Sequence, residues 1–260
     1  MPLHLAANLD LLFTEAGEMP QRVAAAADAG FEAVELWTTS DRDVAGIARV
    51  ARDRGVRITS ILGEPRTDVT RPETDLEAYY DAFLETVHRA RALDCTQVVI
   101  AGSHGYMRMK RPAQLDMLAD VYREALDRTD GSGVTLLFEN FNTRVDHPGA
   151  LLDNASDTFA VARAVGSDRV GVLYDLYHAI AQGEDPARGL AEGADVIREL
   201  QIADVPGRGE PGSGNVDWPA LLRAIADSGY SGDIGLEFYP TMVTSRAILR
   251  IREAMSELGL

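Results

Sequence analysis

One repeating pattern constrains this chain more than any other. Eight times a short apolar run rich in β-branched residues gives way to a longer run of helical periodicity. A Gly or Asp turn then leads into the next short run. Strands alternating with helices in this way build parallel sheets from βα units. The predicted strands are His4–Asn8, Ala33–Trp37, Arg57–Leu62, Gln97–Gly102, Val134–Asn140, Arg169–Asp175, Val196–Asp204 and Asp233–Tyr239. Helical patterns such as Ala78–Leu93, Pro112–Arg128 and Thr244–Leu258 separate or follow them, and Gly30, Gly55 and Gly229 fall where a helix end needs positive φ. Eight such units in 260 residues favour a closed (β/α)₈ barrel, one α/β domain spanning 1–260, over an open sheet. The first βα turn, NLDLLFTEAGE, has no Gly-rich phosphate loop, which also disfavours a dinucleotide-binding sheet.

Charge narrows the partners. Lys and Arg number 25 against 41 Asp and Glu, a formal charge of -16 that repels phosphate backbones and argues against nucleic acid. A small molecule is the expected partner, with a homo-oligomer possible in principle. No apolar run is long enough for a membrane span. The opening MPLHLAANLDLLF lacks a basic region and a small-residue cleavage site, so no export signal is expected. A lone cysteine, Cys95, fits a reducing cytoplasm and rules out an internal disulfide.

Functional residues of such barrels stand at the C-terminal ends of the strands. Strand five ends at Glu139 and strand six at Asp175. Strand seven offers Gln201 and Asp204, and strand eight ends at Glu237. Charges at the ends of buried apolar strands are costly unless paired or bound. Four consecutive strands presenting oxygen donors to one mouth suggest a site for one hard divalent cation. Carboxylates with an amide oxygen suit Mg²⁺ or Mn²⁺ better than Zn²⁺.

These segments resemble the xylose-isomerase-like barrel superfamily, and within it the hydroxypyruvate isomerases. The similarity runs through AANLDLLFTE (Ala6–Glu15), FENFNTR (Phe138–Arg144), YDLYH (Tyr174–His178), LQIADVPGRGEPGSGNVDW (Leu200–Trp218) and GLEFYP (Gly235–Pro240). The long run after strand seven is the most specific of these. The resemblance implies that Glu139, Asp175, Gln201 and Glu237 are metal ligands, with Gln201 where many relatives carry His. It implies that Glu139 and Glu237 act as acid and base, and that His178 and Arg208 hold substrate oxygens. The implied reaction is isomerisation of hydroxypyruvate to tartronate semialdehyde.

Departures from that pattern concern the loops. WTTSDRD (Trp37–Asp43) follows strand two, and GEPRTDVTRPETD (Gly63–Asp75), with Glu64 and Arg66, follows strand three. Val145 stands as one extra residue after strand five. Such loops shape the substrate pocket, so rival reactions stay open: a ketose 3-epimerase, a 2-oxo-tetronate isomerase, or a dehydratase of a cyclic polyol ketone, whose strand two resembles the ELW here. An apurinic-site endonuclease is disfavoured by charge and by too few His. A binding protein that kept the fold is disfavoured by the complete ligand set. Of the other histidines, His4 is expected inside the barrel and His88 in a structural helix position. His104 is expected within reach of the mouth, and His147 in the loop after strand five.

Overall fold

The computed structural model describes residues 3–260, leaving Met1 and Pro2 of the opening segment outside the described residues. Eight parallel strands pair in chain order and close on themselves. They are β1 His4–Asn8, β2 Ala33–Leu36, β3 Arg57–Leu62, β4 Gln97–Ile100, β5 Thr135–Glu139, β6 Val170–Asp175, β7 Ile197–Ile202 and β8 Asp233–Leu236. Around them run α1 Met19–Asp28, α2 Val44–Arg54, α3 Leu76–Ala92, α4 Arg111–Arg128, α5 Ala155–Val165, α6 Leu176–Gln182, α7 Pro186–Glu192, α8 Trp218–Asp227, α9 Thr244–Ala247 and α10 Leu249–Leu258. Each predicted strand matches an observed one. The differences lie at the ends, where apolar residues such as Phe238 leave the ladder but stay buried. The last predicted helix is two pieces, because Ile248 ends α9 and begins α10. Gly30, Gly55 and Gly229 all take positive φ, as their places after helices required.

Side chains alternate along a strand, so residues two apart share a face. Glu139 therefore stands above Leu137, Asp175 above Leu173, Gln201 above Glu199, and Glu237 above Gly235. Leu137 and Leu173 pack with Val99 and Leu62 into a small apolar plug. On the β7–β8 side the next layer down is polar, because Glu199 and Glu35 are both buried there. The large remaining core lies between the barrel and its helices, as this fold requires.

His4 was expected in the barrel interior and is instead exposed. It shares the parity of Asn8 but stands on the first rung, where the barrel opens to water. His88 is exposed on α3, 3.6 Å from Glu85. No helix of the described residues is long and apolar enough to cross a membrane.

Candidate metal and substrate centre

The C-terminal mouth holds a cavity of about 580 Å³. Glu139, Gln201 and Glu237 line it together with His178 and Arg208, while Asp175 is buried just behind them. All six sequence-predicted residues thus meet at one place. Strand pairing explains this: Asp175 lies beside Gln201, and Gln201 beside Gly235. The Glu237 amide donates to Ile202 at 3.2 Å, carrying the ladder one residue past β8 and fixing the carboxylate over the barrel.

Each acid has a distinct environment. Asp175 caps α6, its Oδ1 accepting from the amides of Tyr177 at 2.7 Å and His178 at 3.2 Å. That leaves Oδ2 for the cavity, 3.4 Å from both Arg208 Nη2 and His178 Nε2. Burial pushes the Asp175 carboxyl up to about 7, against the pull of Arg208. Burial, then Glu237 and Asp175, push Glu139 well above the usual carboxylate range. Glu237 faces donors on both sides: Trp37 Nε1 gives to Oε1 at 2.6 Å, and Arg208 Nη2 gives to Oε2. Arg208 itself is buried against burial's penalty. Glu237, Asp175 and Glu139 together hold its charge, and its guanidinium lies over the Tyr177 ring.

His178 is tied from behind. The Asn142 carbonyl accepts from the amides of Val145 and Asp146, which forces its NH₂ toward Asp146 and His178 Nδ1, each at 2.7 Å. Nδ1 must therefore accept, and the proton of a neutral ring sits on Nε2. Burial and then Arg208 hold the ring well below its ordinary pKa, so it is neutral. Glu139, Asp175 and His178 bring potential ligand atoms within 4.8 Å of one another. The tautomer makes His178 Nε2 a donor toward the cavity, not a ligand. Gln201 instead offers a buried Oε1 with no hydrogen-bond partner. Three carboxylates and this orphaned amide oxygen fit a hard cation. Val145, in the loop after β5, is exposed and belongs to the Asn142 turn that holds His178.

Asp204, the other candidate on strand seven, serves a different purpose. Its Oδ1 accepts from the amides of Val205 and Val216 at 2.8 and 3.1 Å, and its Oδ2 from Gly212 and Trp218 Nε1 at 2.6 and 2.9 Å. It ties down the loop that carries Arg208, a non-glycine residue at φ 53 whose carbonyl accepts from the Tyr239 amide. Asp204→Ala is expected to cost roughly 3 kcal/mol, since buried donors lose their acceptor. Urea unfolding followed by Trp fluorescence measures this. A change under about 0.5 kcal/mol, the size of an ordinary surface substitution, would remove the loop-anchoring role.

The loops sort differently than their sequence suggested. Glu64 turns away from the cavity and accepts from the amides of Thr39 and Ser40 at 2.9 and 3.1 Å, stapling the loop after β3 to that after β2. Arg66 faces the cavity. His104 and His147 also line it: His104 is held 3.0 Å from Asp68, and His147 packs against Phe141 and His178. Glu35, Trp37 and Glu199 were not recognised as part of the centre. For Glu35 and Glu199 a signal is present, a Glu set inside each of the apolar runs AVELW and VIRELQI, whereas Trp37 reads only as an apolar strand end.

Comparison with known proteins agrees with this geometry. Residues 23–257 match the family described as xylose isomerase-like TIM barrel. A human protein provisionally named a hydroxypyruvate isomerase is 30% identical, over 99% of this chain and 97% of that one. The 2-oxo-tetronate isomerase of Cupriavidus necator is 31% identical over 94% of this chain and 95% of its own. Among solved structures, one described as an AP endonuclease, family 2, from Brucella melitensis superposes with a TM-score of 0.87 at 27% identity. It covers 97% of this chain and 99% of its own. The chain belongs to the xylose isomerase-like TIM barrel family. Within that family it is a hydroxypyruvate isomerase-like member, and an isomerase.

Proposed function

We propose that this isomerase interconverts a small hydroxy-carbonyl acid and its positional isomer through an enediolate, hydroxypyruvate to tartronate semialdehyde. The observation that carries this reading is the pair Glu139 and Glu237, facing one cavity beside the cations Arg208 and Arg66. One divalent metal, Mg²⁺ or Mn²⁺, would be held by Glu139, Asp175, Gln201 and Glu237. When bound, it supplies Lewis acidity to the carbonyl and the neighbouring hydroxyl. Glu237, whose two oxygens face the donors Trp37 Nε1 and Arg208 Nη2, takes the C3 proton. Glu139 returns a proton at C2, and the hydroxyl proton passes from the C3 oxygen to the C2 oxygen, so that the product is the isomer with no net gain or loss of protons. His178 gives its Nε2 hydrogen to a substrate oxygen. Arg208, which the resemblance gives to substrate oxygens, also pairs with Glu237 and Asp175. Arg66, exposed at the cavity wall, supports an acid substrate as the second cation.

A longer substrate is the alternative reading, and the cavity favours it, since about 580 Å³ leaves room beyond a three-carbon acid. A 2-oxo-tetronate fits the same chemistry and is the substrate in the name of one relative. The test is a panel of hydroxypyruvate, 2-oxo-tetronates, ketoses and a cyclic polyol ketone with metal-loaded enzyme in D₂O. We expect deuterium incorporation without loss of water, and fastest turnover on an acid. Loss of water from the product would assign a lyase instead. Inversion at C3 of a ketose as the fastest reaction would assign an epimerase.

A further inference from the structure

Gln201 can present either end of its amide to the mouth, and only the carbonyl end can bind a cation. What decides between them lies one layer deeper. Gln201 Nε2 donates to Glu35 Oε2 at 2.9 Å, across the barrel from β7 to β2. The same oxygen accepts from Asn8 Nδ2 at 3.2 Å. Asn8 is itself fixed, because its Oδ1 accepts from the Asp10 amide at 3.1 Å. Glu35 Oε2 is therefore an acceptor held between two amide donors. A flipped Gln201 would set a carbonyl against it and leave two buried acceptors facing each other. Glu35 reaches this spot because β8 has a glycine there: a Cβ on Gly235 would lie 1.7 Å from Glu35 Oε1. Ser60 and Glu199 close the floor below, with Ser60 Oγ donating to Glu199 Oε1 at 3.2 Å. Glu35 is 1% exposed, so it cannot serve as a solvated rim charge.

We infer that Glu35 is a positioning residue that locks the Gln201 amide with its oxygen toward the cavity, making an amide competent as a metal ligand. This rests on the reading of Gln201 as a ligand. Groups behind the ligands of a metal site commonly orient them in this way, and their loss lowers metal affinity by roughly 10–100-fold. The arrangement also accounts for the buried Gln201 Oε1 that has no partner of its own.

The experiment is Mn²⁺ titration of metal-stripped protein, with free Mn²⁺ read by electron paramagnetic resonance. Glu35→Leu keeps the volume but removes the acceptor, and should weaken Mn²⁺ by roughly 10–100-fold. Glu35→Gln keeps an acceptor at the same place and should stay close to wild type. Gln201→Glu added to Glu35→Leu should recover affinity, because a carboxylate offers an oxygen whichever way it turns. Undiminished Mn²⁺ binding by a folded Glu35→Leu chain overturns the inference, and so does equal loss in Glu35→Leu and Glu35→Gln. Wild-type protein that binds no Mn²⁺, Mg²⁺ or Zn²⁺ overturns the metal reading itself, a distinct result. The unmutated, metal-free chain gives a further check should Glu35→Leu fold poorly. The Gln201 side-chain NH₂ pair, assigned by its loss in Gln201→Glu, should exchange slowly with solvent. Exchange as fast as that of an exposed amide overturns the locking.

Discussion

Replacing Glu237 by Gln is expected to lower turnover by about 10²–10⁴-fold, the range a positioned acid or base contributes. The substitution keeps shape and an oxygen for the metal while removing proton transfer. It also has a structural consequence. Trp37 Nε1 and Arg208 Nη2 are both donors aimed at the two oxygens of Glu237. A carboxylate satisfies both, whereas an amide must turn its NH₂ toward one of them. The measurement therefore pairs steady-state kinetics with Mn²⁺ affinity and a thermal melt. Turnover above a few per cent of wild type with metal bound would end the acid/base role of Glu237. Comparable losses in turnover and in Mn²⁺ affinity would assign it to the metal alone.

Arg208→Met should produce the largest change in stability, and the change should depend on pH. The guanidinium is the only cation in direct contact with Glu237 and Asp175 among the described residues. Removing one partner of a buried ion cluster typically costs about 3–5 kcal/mol. The sign with pH follows from Asp175, whose carboxyl is already pushed up to about 7 by burial while Arg208 holds it down. Without Arg208 it rises further. The metal-free folded state then keeps protons that the unfolded chain gives up near pH 4. Stability is consequently lost as pH rises from about 4, with the same slope in both proteins until wild-type Asp175 gives up its proton near about 7, and above that the variant alone goes on losing stability. At pH 5 the two should melt close together, and the gap should open above about pH 7, reaching about 1.4 kcal/mol per pH unit and so being clearly present at pH 8. Mn²⁺ should narrow it at pH 8, because a bound cation replaces the missing charge. A gap of equal size at both values would show that Arg208 acts through packing on Tyr177 rather than through charge.

Both variants probe a centre whose parts were unequally visible in the chain. Glu139, Asp175, Gln201 and Glu237 could be read from local pattern alone. Each follows an apolar run long enough to mark a strand, and strand ends converge once a barrel closes. Asp204 shows the limit of that rule. It also follows strand seven, but three backbone amides and Trp218 take up both its oxygens. Glu64 and Arg66 stand two residues apart in one loop, yet one staples loops while the other faces the cavity. Nothing local to either residue distinguishes them.

Periodicity, turn glycines and strand-end acids are properties of short segments, and they determined the (β/α)₈ barrel and the four oxygen donors at its mouth. What only the tertiary structure decided is how those donors are held. Glu35 meets Gln201 across 166 positions of chain, and Trp37 meets Glu237 across 200. Barrel closure brings β1 beside β8 and sets the depth at which each side chain enters. The orientation of an amide, the tautomer of His178 and the charge of a buried carboxyl all depend on that depth. They arise from contacts between distant segments in a site largely withdrawn from water, where one misplaced donor or acceptor is costly.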